Sequence, residues 1–203
     1  MVSSKPDAAP PSPPPPQPAQ TASNPQARRP PTVPPSGPPG AFLVELLIYN
    51  GAPFKDHWAY WVRSHQNPYR GVRIHAAGDV MNGFQFEIER GHNLRETGHV
   101  PTKRIPLQWV SGEFFTEKAV VGSGDDKDKV DQTPVCDFEA SAHKVEVPEK
   151  SLRAVDDKSI STPNKLTQRN CQTWIVESAD QLVNDRIFNS DVAAYLHSTK
   201  QEV

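Results

Sequence analysis

Cysteine is nearly absent from this sequence: two residues, Cys136 and Cys171, in a chain of 203. They stand 35 positions apart, and neither has another Cys or a His within four residues. That spacing makes neither a disulfide framework nor a site with paired zinc ligands. Long apolar runs are lacking too. The best, Phe42 to Tyr49, is broken by Glu45 and falls far short of the roughly 18 residues a membrane helix needs. No excess of positive charge exists: the formal net charge is −2 and the pI near 6.4. A global field drawing in nucleic acid or acidic membrane is therefore excluded. The first residues are neither basic-then-apolar nor Arg-rich, so no secretory or transit signal is expected, and no Asn-x-Ser/Thr acceptor occurs. A Gly-x-Ser-x-Gly elbow, a phosphate-cradling loop and a dinucleotide fingerprint are all missing. The chain reads as soluble and cytoplasmic, without excluding the nucleus, with no cofactor, no metal, no nucleic-acid partner and no membrane span.

Proline, by contrast, is abundant: 22 residues, of which fifteen fall in positions 1–40. That segment has no Phe, Tyr or Trp and a single acid, Asp7. It cannot bury enough apolar surface to offset its ordering entropy, and reads as a disordered tail of polyproline II character. Two roles are open to it: a solubilising appendage, or a docking ligand for a domain with an aromatic-lined groove. Residues 41–203 then form one domain, and carry all eight Phe, four Trp and four Tyr of the chain.

The front of that domain reads as short, antiparallel strands. Phe42–Tyr49 is apolar and branched, and Asn50-Gly51 supplies a turn. His57–Val62 and Val72–Ala76 follow. Phe84–Arg90 alternates apolar and polar without a break, and this alternation puts Glu87 and Glu89 on a solvated face. Ile105–Val110 is a fifth strand, with Pro106 arguing for a sheet edge. Around residues 117–142 a mixed-charge stretch reads as a solvated loop insertion. His143–Leu152 reads as an irregular strand. The end of the chain turns helical. From Cys171, apolar residues at Trp174, Ile175, Ala179, Leu182 and Val183 form the stripe of an amphipathic helix, with Asn170 where an N-cap is wanted. Ser190-Asp191 opens a final short helix. Strands followed by helices predict an α+β fold: a small antiparallel sheet packed against C-terminal helices.

Cys171 is the most informative position. In the first turn of a helix the aligned peptide dipoles favour a thiolate, and a nucleophile results if an imidazole lies within reach. The same residue also reads as a small buried hydrophobe beside Trp174 and Ile175. His57 opens one strand and His75 closes another, where an imidazole can be held rigidly as a general base. Each also reads, alone, as a structural histidine at a sheet end. His65, His92, His99, His143 and His197 fall in loop or terminal contexts.

Three segments taken together carry a resemblance: His57-Trp58-Ala59-Tyr60-Trp61-Val62, Ile74-His75-Ala76-Ala77-Gly78-Asp79 and Asn170-Cys171-Gln172-Thr173-Trp174-Ile175. Their order resembles the circularly permuted NlpC/P60-like papain-fold proteins, in particular the lecithin:retinol acyltransferase-like branch. The core is also similar to a group of uncharacterised fungal proteins. The resemblance spans roughly Leu43 to Leu196. It implies a permuted papain-like fold with Cys171 as nucleophile, His57 as base and His75 orienting the His57 ring, supported by Asn170, Gln172 and Trp58. It further implies acyl transfer or hydrolysis through a thioester, on an acyl, lipid or peptide substrate. Gln172-Thr173-Trp174 departs from the Glu-His-Phe run of that branch. The PPPDE isopeptidases, which also place His early and Asn-Cys late, imply a protein conjugate as substrate instead. A non-catalytic interaction or scaffold protein is the remaining alternative.

Overall fold

The computed structural model describes residues 29–96, 100–122, 130–150 and 168–201. Six strands form one antiparallel sheet in the order β5-β1-β2-β3-β4-β6. They are β1 (Phe42–Tyr49), β2 (His57–Arg63), β3 (Arg70–Asp79), β4 (Gly83–Asn93), β5 (Lys103–Val110) and β6 (Val130–Asp131). Four helices follow the sheet or interrupt its last part: α1 (Glu117–Val121), α2 (Asp137–His143), α3 (Cys171–Asn184) and α4 (Ser190–Thr199). The α+β arrangement expected from the sequence is present. Among the described residues no helix is long and apolar enough to cross a membrane.

Alternation along the strands divides the side chains between two faces. Val44, Leu46, Ile48, Trp58, Tyr60, Val62, Val72, Ile74, Phe86 and Ile88 join Phe138, Trp174, Ile175, Leu182 and Phe188 in one large core beneath the helices. Leu47, Ala59 and Trp61 meet Leu94 in a smaller cluster on the opposite face. α3 lies across β2 and β3, with the buried Tyr60 hydroxyl donating to the Ile175 carbonyl at 2.8 Å. That bond spares the hydroxyl an unpartnered burial.

β5 is an edge strand, as Pro106 predicts. Pro106 sits opposite Glu45, where the β1–β5 register shifts, so the missing N–H falls at an irregularity of the ladder. β4 runs further than its alternation suggested. Gly91, at φ +62°, carries the strand on to Asn93 through a bulge that shifts its register against β3. Only glycine fits there, since a Cβ would stand 2.6 Å from the Val121 carbonyl oxygen.

Two expectations are corrected. The stretch 117–142 is not a solvated loop: it holds α1, β6 and α2, with Val120, Phe138 and Ala142 in the main core. Its charges are partly internal. Glu139 is fully buried and accepts two bonds from Arg90 of β4, at 2.6 and 2.8 Å. Only 123–129, the most charged part, lies outside the described residues. The irregular strand over His143–Leu152 is also absent. Residues 144–150 run without strand pairing, tied down by Phe84 N–H to Pro148 O and Trp174 Nε1–H to Val145 O; 151 and 152 lie outside the described residues. The sequence places the disordered tail over residues 1–40, of which 1–28 also lie outside the described residues. Residues 29–40 are described, and Pro34 accepts a bond from Trp109.

Candidate functional site

His57 and His75 project from neighbouring strands onto the face opposite the main core. The β2–β3 ladder ends at Tyr60↔Ile74, so the start of β2 is released from β3 and the two rings meet across the gap. His57 Nε2 lies 2.8 Å from His75 Nδ1. The chain of contacts continues: His75 Nε2 is 3.3 Å from Glu89 Oε1. Arg73 holds both Glu89 oxygens, through Nε at 3.0 Å and through a second, shorter bond from Nη2. Arg73 also donates to the Tyr49 hydroxyl at 3.3 Å. His92 Nδ1 approaches Glu89 Oε2 at 2.8 Å.

Glu89 is therefore not the solvated carboxylate that alternation suggested; its side chain is only 13 % exposed. β4 pairs with β3 so that Arg73 faces Glu89 and His75 faces Glu87. The bulge at Gly91 then adds one residue and turns His92, three positions on, back to the same face. The sequence reading ended the strand at Arg90 and left His92 in a loop or terminal context. A run of Arg73, His75, Glu87 and Glu89 at alternate positions of adjacent strands was the signal that could have revealed the cluster.

The charge states follow from this geometry. Burial alone raises the Glu89 carboxyl, but bonds from His75, His92 and Arg73, together with the Arg73 charge, outweigh it and hold the group far below the carboxylate range. An ionised carboxylate only accepts. His75 must then donate from Nε2, and its Nδ1 must accept from His57 Nε2–H. The lone pair of His57 is left on Nδ1. Burial pushes His57 down to about 3, aided by its histidine and arginine neighbours, and also lowers His75. Both rings are thus neutral at ordinary pH.

Cys171 opens α3 and is 7 % exposed. Asn170 caps the helix as expected, its side chain accepting from Thr173 N–H at 3.1 Å. The sulfur lies 3.9 Å from the Asp56 carbonyl oxygen, and the backbone N–H groups of Trp58, Gln172 and Cys171 itself point at it. Burial raises the thiol, while those three donors and the Lys55 charge pull it back. The sulfur thus touches backbone on both sides of His57. Among the described residues no hydrogen bond joins it to His57 or His75. Gln172 is fully buried and donates to Asp56 O at 2.8 Å, pinning the start of α3 to the start of β2. The Trp58 side chain belongs to the core; only its N–H faces the sulfur. Cys136, the other cysteine, is pushed up to about 12 by burial and the nearby Glu139.

His75 Nε2 and the carboxylates of Glu87 and Glu89 lie within 4.8 Å of one another, close enough for a cation. Any such ion competes with Arg73 for both Glu89 oxygens, which makes the cluster a poor resident-metal site.

No curated protein and no solved structure matches the chain. A family profile matches residues 44–189, from within β1 to the cap of α4, and so spans every element just described except the first two residues of β1 and α4 itself. On that match the chain belongs to DUF6540, a family of unknown function.

Proposed function

We propose that the protein is a cysteine-dependent hydrolase or acyltransferase of the permuted papain-like type. The observation that carries this reading is the Cys171 thiol at a helix start, 3.9 Å from the Asp56 carbonyl that precedes His57, with His57 itself in a His57–His75–Glu89 chain. Cys171 is the nucleophile and His57 the base, using Nδ1. His75 is a positioning residue that fixes the His57 tautomer, and Glu89 fixes His75. The sulfur attacks an acyl carbonyl as its proton passes to His57 Nδ1. The N–H groups at the start of α3 face the developing oxyanion. Collapse breaks the bond to the leaving group, which takes the proton from His57 and leaves a thioester. Water, or an acceptor hydroxyl or amine, then attacks the thioester and frees Cys171. The resting thiol is buried and neutral, so substrate entry has to bring His57 Nδ1 into hydrogen-bond reach, as apo sites often require.

Cys136 supplies an internal standard for the test. Iodoacetamide labelling across pH 5–9, mapped by mass spectrometry, is expected to find Cys171 more reactive than Cys136. His57→Ala is expected to remove the excess. Profiling against acyl esters, phospholipids and ubiquitin-like conjugates, with Cys171→Ser as control, separates the acyltransferase-like from the isopeptidase-like substrate; His57→Ala should lose roughly 10²–10⁴-fold in turnover. If Cys171 reacts no faster than Cys136 and His57→Ala changes nothing, the catalytic reading is dead. A second reading, a non-catalytic interaction protein, draws on the contact between Trp109 and the Pro-rich segment.

A further inference from the structure

Trp109 stands on β5 opposite Leu43 of β1, at the far end of the sheet face from Tyr49 and His57. Its indole N–H donates to the Pro34 carbonyl at 2.9 Å. Gly37 lies flat against the same ring: a Cβ built there would come within 2.3–2.7 Å of three indole atoms. Arg63 stands 5.5 Å from the ring centroid. Beside this contact a groove of about 370 Å³ remains, lined by Trp109, Leu43, Arg63, Ser64, His65 and Pro68.

This is the chemistry of polyproline recognition. A polyproline II segment makes no internal hydrogen bonds, so its carbonyls are free to accept, and its rings pack on aromatic walls. Trp109 supplies the donor and the wall. Pro68 and Leu43 supply apolar flanks, and Arg63 supplies a further donor. The chain's own Pro34–Gly37 already uses one end.

We infer that the rest of this groove receives the proline run Pro10–Pro18 of the same chain. That run, Pro-Pro-Ser-Pro-Pro-Pro-Pro-Gln-Pro, is uncharged and lacks aromatics, so it carries nothing but carbonyls and rings to be recognised. Ten residues, 19–28, separate it from Arg29; at ~3.1 Å each they reach up to ~30 Å, enough to return to the groove from Pro34. Tethering at that length gives an effective concentration on the order of millimolar, an advantage no free peptide shares. The occupant is therefore the tail in cis, and the domain is a proline-rich receptor that its own tail keeps filled.

The test uses the full chain and the four tryptophan indole N–H cross-peaks of its NMR spectrum. Replacing Pro13, Pro14, Pro15 and Pro16 together by serine is expected to move the Trp109 cross-peak. Trp58, Trp61 and Trp174 should stay in place, which also certifies the fold. Adding a synthetic peptide of residues 10–18 to that variant should return Trp109 to its wild-type position. Trp109→Phe should abolish binding of the peptide, read from the backbone cross-peaks of Arg63 and His65. Superimposable spectra for wild type and the proline-replaced chain overturn the proposal. A wild-type Trp109 shift that depends on protein concentration also overturns it, in favour of a second copy's tail as the occupant. Neither outcome touches the Cys171 site, which stands or falls separately.

Discussion

Glu89 shows how much one side chain sets for its neighbours. Because it accepts from Arg73, His75 and His92 at once, it leaves His75 a single neutral tautomer and so delivers the His57 lone pair at Nδ1. Nitrogen-15 chemical shifts should find His57 and His75 both protonated at Nε2 and unprotonated at Nδ1. In Glu89→Gln the neutral amide no longer dictates which His75 nitrogen carries the proton, and a mixture of tautomers is expected. The pH profile of Cys171 labelling should change with it, while Glu87→Gln, which leaves Glu89 in place, should preserve both. A wild-type His57 protonated at Nδ1 would sink the assignment; correct tautomers with an inert Cys171 would sink only the catalytic reading. A second consequence concerns pH. His57 is held at about 3 when folded against an ordinary value of 6.5, so between those values the unfolded chain binds more protons. Its contribution to stability is present above pH 6.5 and is withdrawn as pH falls toward about 3, at up to about 1.4 kcal/mol per pH unit for one proton. Glu89, also depressed, acts in the same direction at lower pH. Urea unfolding at pH 7 and pH 5 should show wild type losing stability on acidification, and His57→Gln losing less. Equal losses would mean the imidazole is not desolvated.

At the level of elements, the parts that were readable in the sequence are those whose local pattern and tertiary role agree. Phe84–Arg90 alternates because one side faces the core, and Asn170 before Cys171 marks a helix start because its side chain caps Thr173. The failures share one cause: polar residues whose partners are distant in sequence. Arg90 and Glu139 are 49 positions apart, and each alone reads as a surface charge. Together they are an internal clamp. Arg90 also bonds the Ala119 carbonyl at 2.6 Å and Asp131 at 3.1 Å, so one guanidinium gathers α1, β6 and α2 onto β4. The charged stretch folds because its charges are matched inside. Likewise the strand read as ending at Arg90 continues through a bulge at Gly91, against which the Val121 carbonyl packs. Removing one partner leaves the other buried without compensation, a loss of about 3–5 kcal/mol. Glu139→Ala is therefore expected to shift the urea midpoint sharply, whereas Arg90→Met with Glu139→Leu should recover most of the loss. If Glu139→Ala costs no more than an exposed substitution such as Glu113→Ala, the clamp is not what holds this region.

For the whole molecule, the two ends of the described chain return to opposite ends of the sheet. The N-terminal segment lies on Trp109. Gln201, beyond α4, lies at the candidate site, and all its partners are neighbours of the proposed catalytic residues. Its side-chain oxygen accepts from Asp56 N–H at 2.8 Å and from Gln172 Nε2 at 2.7 Å, and its own N–H donates to Gln172 Oε1 at 2.9 Å. Lys55 Nζ reaches its carbonyl at 2.9 Å. Asp56 precedes His57 and Gln172 follows Cys171, so Gln201 stitches the strand carrying the base to the helix carrying the thiol. Gln201→Ala removes the side-chain half of this stitch. Losing such bonds between partly buried groups costs about 1–2 kcal/mol locally. Where labelling of the 7 % exposed Cys171 proceeds through local opening, 1.4 kcal/mol corresponds to about tenfold. Cys171 in Gln201→Ala should therefore label about tenfold faster than in wild type, with Cys136 unchanged because it stands just before α2, away from the stitch. An equal acceleration at both cysteines would point to global destabilisation, and no acceleration at either would show that the start of α3 is held shut without the Gln201 side chain.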